Sequence, residues 1–300
     1  MRTFEQLGVI GCGLMGGSFA LAMKQAGLIQ RVVGYSKSPS TLRRARELGV
    51  IDVEAPSALL AVSGADLVLI AVPVSATEDT FKAIRHLVRP DALVMDVGST
   101  KGDVVAAARR SLKDQLATFV PAHPIAGKES AGVEHADAGL YRGCQVILTP
   151  MAESGPAQVQ QARAVWQALG AHVRDMTADA HDAAYAAVSH LPHLLAFAAM
   201  NAIGQQTTAQ EFLSLAGPGF RDFTRIAASD PNVWRDILLS NRAEVLAQAA
   251  HFRAALSVLE QAIEQQDATA LHTLIRHASD ARGQWQLGGQ GKPPSPIESS

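Results

Sequence analysis

The chain has 300 residues, 48% of them hydrophobic, and 26 Lys and Arg against 28 Asp and Glu give a net charge of −2. Such a chain can bury one large or two ordinary cores, and its scattered basic residues form neither a nucleic-acid stripe nor a polybasic membrane segment. No apolar run reaches the roughly 18 residues of a membrane helix, and MRTFEQLGVIG enters a strand at once without a signal-peptide pattern, so a cytoplasmic, small-molecule chemistry is expected.

Residues 1–176 alternate β-rich runs (LGVI, RVVGY, DLVLIAV, ALVMDVG, TFVPAH, QVILT, HVRDM) with helical patterns. Strands this continuously apolar, separated by helices, predict a parallel sheet covered on both faces. Residues 177–288 carry helical spacing throughout, and TADAH, with Thr177 or Asp179 as cap, opens a helix of over twenty residues. Residues 289–300, rich in Gly, Pro and Ser, read as a disordered tail. Cys12 and Cys144 lie far apart without ligand spacing, so neither a disulfide framework nor a metal site is expected, and both read as small packing residues.

In LGVIGCGLMGGSFALAMKQAG, Gly11, Gly13 and Gly16 have G-x-G-x-x-G spacing directly after a strand and before a helix that ends at Gly27. Gly11 permits the tight turn, Gly13 lets backbone approach a pyrophosphate, and Gly16 lets helix and strand pack closely, with the Leu14 and Met15 amides holding phosphate. The fold class follows: an α/β Rossmann-type nucleotide-binding domain, then an all-α helical domain. About twenty residues on, where an acid grips the ribose of NAD, the chain reads GYSKSPSTLRR. Ser36, Lys37 and Ser38, with Arg43 or Arg44, can instead hold a 2′-phosphate, which favours NADP or a loose selectivity that also admits NAD. AVPVSAT and DVGSTKG end two later strands, where such a sheet presents its ligand loops, making Val72, Pro73 and Ser99 candidate cofactor contacts.

His123, in PAHPIAGKESAG, follows another strand and suits a base beside a nicotinamide, although a histidine that merely ties down a loop reads equally well by spacing. In the helical half, VSHLPHLLAF sets Ser189, His190 and His193 in an apolar helix without the acidic or cysteine ligands of a metal site. Ser189 and His193 share one helical face, Pro192 should break the backbone bond to Val188 and bend the helix, and His190 reads as a structural hydrogen-bonding group. Leu246, Phe252, Leu256, Leu259 and Ile263 recur on more than one face of a long helix, as for a homodimer through the helical half. His251, His272 and His277 show no functional pattern.

DVGSTK, AHPIAGKESAG, VILTP, AVSHLPH and GFRDFTRIAASDPNVWRDI, in that order behind GCGLMG, closely resemble the prephenate and arogenate (cyclohexadienyl) dehydrogenases of tyrosine biosynthesis, over nearly the whole chain to about residue 285. The resemblance implies oxidative decarboxylation of prephenate to 4-hydroxyphenylpyruvate, or of arogenate to tyrosine, with hydride passing to NAD(P)+. It implies that His123 hydrogen-bonds and polarises the ring C4 hydroxyl, that Ser99 lies beside it, and that Arg225 binds substrate carboxylate. It further implies that Ser189 and His193 line the substrate side, with His193 linked to inhibition by tyrosine. Gly219, Arg221 and Trp234 match pocket-shaping positions, and Glu129 and Asp222 match a gate that pairs with arginines. Arg221 stands where the family often has lysine. Because prephenate is a dianion, at least one cation is needed in its pocket, which Arg225 and Arg221 can supply. The rival classes are another two-domain NADP-linked hydroxyacid or imine reductase, and a redox sensor that binds NADP(H) without turnover.

Overall fold

The computed structural model describes residues 3–128 and 130–285. They form two compact units that divide between Val245 and Leu246. Glu129 and the proposed tail at 289–300 lie outside the described residues.

The first unit opens with β1 (Phe4–Ile10), α1 (Leu14–Gln25), β2 (Ile29–Tyr35), α2 (Pro39–Glu47), β3 (Val53–Glu54), α3 (Ala58–Val62) and β4 (Leu67–Ile70). It continues through α4 (Thr77–Ile84), β5 (Leu93–Asp96), α5 (Gly102–Ser111) and β6 (Phe119–Val120). These strands make one six-stranded, wholly parallel sheet in the order β3-β2-β1-β4-β5-β6. Because both faces of such a sheet are covered, β4 and β5 are buried at every position. One face packs Phe19 edge-on to Trp166 and Tyr141, with ring centroids 5.0 and 6.4 Å apart, and the other packs Phe81 against Phe119 at 5.0 Å. Burying each such ring stabilises the fold by about 1.5–3 kcal/mol.

The run TFVPAH, expected as one strand, is broken in two. Pro121 has no N–H to continue pairing with β5, so β6 ends at Val120 and the next residues enter a second sheet. That sheet holds β7 (Ala122–Pro124), β8 (Gln145–Leu148) and, after α6 (Pro156–Ala168), β9 (His172–Asp175). Here β7 and β8 are antiparallel, with His123 opposite Ile147, and only β8 and β9 are parallel. The all-parallel expectation therefore holds for the first six strands alone.

After β9 every element among the described residues is helical. Thr177 caps α7 (Ala178–Tyr185), its hydroxyl accepting the Ala180 amide at 3.1 Å. A π-helical turn at Ala186–His190 joins α7 to α8 (Leu191–Gly204) as one helical run. Pro192 is the second residue of α8, so the chain absorbs its missing donor by widening the preceding turn. The run Ala178–Gly204 is long and apolar enough to cross a membrane by length and composition, which the sequence reading did not anticipate. Its His181, Asp182 and His190 are nevertheless buried and hydrogen-bonded within the protein. The unit closes with α9 (Ala209–Ser214), α10 (Pro218–Thr224) and α11 (Pro231–Ser240). The long helix α12 (Arg242–Glu264) runs across the division into the second unit, which α13 (Ala268–Gln284), capped by Asp267, completes.

Candidate active site

Helix α1 starts at Gly13 with no side-chain cap, which leaves its first amides available to a ligand. The three fingerprint glycines do different work. A Cβ on Gly11, whose φ is +97°, would lie 2.2 Å from the Ala71 carbonyl oxygen, and one on Gly16 would lie 2.0 Å from the Gly11 carbonyl oxygen. Those two permit backbone packing. A Cβ on Gly13 would meet nothing within 4 Å, so open space stands above the helix start. This cradle fits the diphosphate of a dinucleotide. A cleft of about 520 Å³ extends from it, lined by Leu14, Met15, Val72, Pro73 and Ser99 and closed by Trp234 of α11. The Ser75 hydroxyl donates to Asp236 of α11 at 2.5 Å, fastening that helix to the loop after β4. This bond, with Arg235 beside it, holds the Asp236 carboxyl below its usual range.

At the start of α2, Ser38 spends its hydroxyl on the cap, accepting the Thr41 amide at 3.3 Å, and Arg44 pairs with Glu47 at 3.0 Å. The Ser36 hydroxyl accepts the Ser38 amide at 3.4 Å. Lys37 and Arg43 make no ion pair among the described residues, so they are the better placed of the suggested phosphate contacts.

His123 sits in β7, half-buried, with its Nδ1 2.8 Å from Nε2 of His181. The other nitrogen of His181 lies 2.8 Å from Asp182, whose carboxylate also accepts the Lys101 and Gly102 amides at 2.8 Å each, at the start of α5. Tyr185 packs against both imidazoles, 4.9 Å from His123 and 4.5 Å from His181 between ring centroids. Burial, reinforced by His181 and Lys101 nearby, pushes the His123 pKa well below the ordinary histidine value. Burial also lowers His181, outweighing the pull of Asp182. For Asp182 burial opposes ionisation, but the His181 hydrogen bond and the two backbone amides prevail and hold the carboxyl below its usual range. Beneath this chain lies a buried ion pair between Lys101 and Asp96. Lys101 donates to the Ala122 carbonyl at 2.8 Å and Asp96 accepts the Ala122 amide at 3.0 Å, which fixes the residue next to His123.

A second pocket of about 610 Å³ is lined by His193, Arg225, Ile226 and Ala228. It shares Gly127, Lys128, Ser130 and Ser229 with the nucleotide cleft, so the two are neighbours across one wall. His193 stacks on Trp234 with centroids 3.4 Å apart, and its Nδ1 donates to the Ser189 carbonyl at 2.9 Å. Ser189 thus meets His193 through its backbone. Burial lowers the His193 pKa despite that carbonyl. His190 is buried and accepts from the Asn241 side chain at 3.1 Å, which also donates to the Asp182 carbonyl at 2.8 Å.

The structure therefore gathers Leu14, Met15, Val72, Pro73, Ser99 and Trp234 in one cleft, and His193 and Arg225 in the next. Gly219 and Arg221 lie exposed on α10, where Arg221 pairs with the adjacent Asp222 at 3.1 Å. Sequence reasoning missed His181, Asp182, Tyr185 and Lys101. His181 and Tyr185 stand four apart on one helical face in AHDAAY, a pattern that marks a polar face without naming its partner.

Residues 19–175 match the nucleotide-binding domain of prephenate dehydrogenase, and residues 177–277 match its dimerization domain. The chain is 34% identical to the cyclohexadienyl dehydrogenase of Zymomonas mobilis over 94% of its own length and 96% of that protein's. It is also 34% identical to the prephenate dehydrogenase of Bacillus subtilis, over 95% of this chain and 77% of that one. The crystal structure of prephenate dehydrogenase from Aquifex aeolicus with hydroxyphenyl propionate and NAD+ superposes with a TM-score of 0.86 at 33% identity, covering 93% of this chain and 97% of that one. With its glycine cradle, its histidine beside the strand end and these likenesses together, the chain belongs to the prephenate dehydrogenase family of NAD-linked oxidoreductases.

Proposed function

We infer that the protein catalyses the oxidative decarboxylation of prephenate, or of arogenate, in tyrosine biosynthesis. The observation that carries this reading is the wall shared by two pockets: a nucleotide cleft on one side and a pocket holding His193 and Arg225 on the other. Adjoining pockets with this common lining let a ring carbon reach the nicotinamide from one side while the carboxylate end stays by Arg225 on the other.

Leu14, Met15 and the open backbone at Gly13 hold the diphosphate, and Val72, Pro73 and Ser99 border the nicotinamide end. Bound NAD(P)+ supplies the hydride acceptor. His123 takes the hydrogen bond of the C4 hydroxyl on Nε2 and stabilises the charge that develops there as hydride leaves C4. The electrons of the ring carboxylate bond then return to the ring as carbon dioxide departs, so the product is a phenol that keeps its proton. Arg225 pairs with a carboxylate through its fixed fork, and Ser189 steers His193 toward the substrate side chain. Gly219, Arg221 and Asp222, on exposed α10, serve at the rim.

NADP is the favoured cofactor in this reading, with NAD also used. Ser36, Lys37 and Ser38 come directly after β2 in place of a ribose-binding acid, and Lys37 and Arg43 carry charge suited to a 2′-phosphate. Tyrosine, which keeps the phenol ring of the product, is proposed to compete at the same pocket through His193. A homodimer through the helical half agrees with the dimerization-domain match and with Val188, Leu215 and Leu239, which are 71%, 77% and 65% exposed. A cytoplasmic location suits the free thiols of Cys12 and Cys144. The test is a four-way assay of prephenate and arogenate with NAD+ and NADP+, followed at 340 nm with and without tyrosine. Reduced cofactor from at least one pairing is expected, faster with NADP+, and none from any pairing overturns the assignment.

A further inference from the structure

The chain of groups from His123 to the start of α5 fixes more than a position. Asp182 is accessible to four donors at once: the amides of Lys101 and Gly102, the Nδ1 of His181, and, through its backbone oxygen, Asn241. A carboxylate can only accept, so His181 must carry its proton on Nδ1. Neutral His181 then has a bare lone pair on Nε2, and the 2.8 Å contact requires His123 to donate from its own Nδ1. The first imidazole is left with an unprotonated Nε2.

We propose that His181 and Asp182 are positioning residues that set the tautomer of His123, holding its Nε2 as a hydrogen-bond acceptor for the substrate hydroxyl. This rests on the role inferred for His123 above. Three features argue that the arrangement is built for the tautomer and not only for packing. His181 is wholly buried, so its nitrogens have no water to turn toward. The Asp182 carboxylate stands at the N-terminus of a ten-residue helix, where the helix dipole favours its charged, accept-only form. Tyr185 lies against both rings and holds them in place beside one another. Burial, which keeps both histidines neutral, acts in the same direction.

The test is imidazole 15N NMR on the full-length protein at neutral pH, with steady-state kinetics on the same samples. His123 signals are identified by their loss in His123→Gln. The wild type is expected to show His123 protonated on Nδ1 and bare on Nε2. In His181→Leu and Asp182→Asn that pattern should reverse or average, and turnover should fall on the order of 10²-fold while KM for the substrate moves by less than about threefold. His181→Gln, whose amide oxygen can accept from His123, should recover the pattern and most of the turnover. A wild-type His123 that carries its proton on Nε2 overturns the proposal, and so does a folded His181→Leu with unchanged tautomer and turnover. If a variant fails to fold, the wild-type and His181→Gln spectra decide. The NMR result stands apart from activity, so a wild type with no turnover would refute the proposed reaction without touching the tautomer assignment.

Discussion

The imidazole of His193 lies flat on the indole of Trp234, with ring centroids 3.4 Å apart and planes 19° from parallel. Trp234 also lines the nucleotide cleft, so this one stack belongs to both pockets. Aromatic stacking contributes about 0.5–1.5 kcal/mol beyond area burial. Trp234→Ala is therefore expected to raise KM for both substrate and cofactor by roughly 2- to 10-fold, with Trp234→Phe in between. Steady-state kinetics with each substrate varied in turn would check this, and a change in only one KM would show that the stack does not bridge the pockets.

The fingerprint glycines separate binding from folding. Gly13→Ala places its methyl in open space at an ordinary backbone angle, so the thermal midpoint should hold while KM for the cofactor rises. Gly16→Ala drives a methyl to 2.0 Å from a backbone oxygen and should destabilise the fold itself, by about 1–3 kcal/mol. Thermal unfolding alongside cofactor titration distinguishes the two. Equal stability losses in both variants would refute the separate roles.

Lys101 and Asp96 are 0% and 2% exposed, and together they grip Ala122 from both sides of its peptide. Lys101→Met leaves a buried carboxylate without its cation, which costs about 3–5 kcal/mol in comparable pairs. Urea unfolding should show a loss of that size. A loss below about 1 kcal/mol would mean that the pair is not what holds β7.

Acid should weaken the fold through its buried histidines. Burial holds His190 down to about 4, and His123, His181 and His193 are lowered too. A histidine whose folded pKa is depressed binds fewer protons folded than unfolded between the two values. Its stabilisation is thus complete above about 6.5 and is lost as pH falls toward the folded value. Each such group steepens the dependence by up to about 1.4 kcal/mol per pH unit. Asp182, also depressed, adds its loss at lower pH in the same direction. Urea midpoints should fall from pH 7 to pH 5, and an unchanged or rising midpoint would contradict the burial of these neutral rings.

Much of this was legible in the residues. Gly11, Gly13 and Gly16 announce a nucleotide cradle because their spacing reports backbone geometry that only glycine allows, and Thr177 announces its helix because a cap is a local event. The break at Pro121 was also written in the chain, but whether a strand stops or changes sheets depends on what Asp96 offers to Ala122 from 26 positions away. The His123 to His181 contact joins residues 58 apart, and Ser75 to Asp236 joins residues 161 apart. Periodicity within one helix cannot carry such pairings. The apolar run around His190 concealed its partner for the same reason, since Asn241 comes from the turn between α11 and α12, 51 positions away.

The most direct measurement is cofactor reduction and aromatic product followed together, for the wild type and His123→Asn side by side, with saturating prephenate or arogenate. One reduced cofactor per phenol formed is expected in the wild type, and turnover lower by about 10²- to 10⁴-fold in His123→Asn with substrate still bound. Wild-type protein that yields no reduced cofactor, or a His123→Asn variant as fast as wild type, would contradict it.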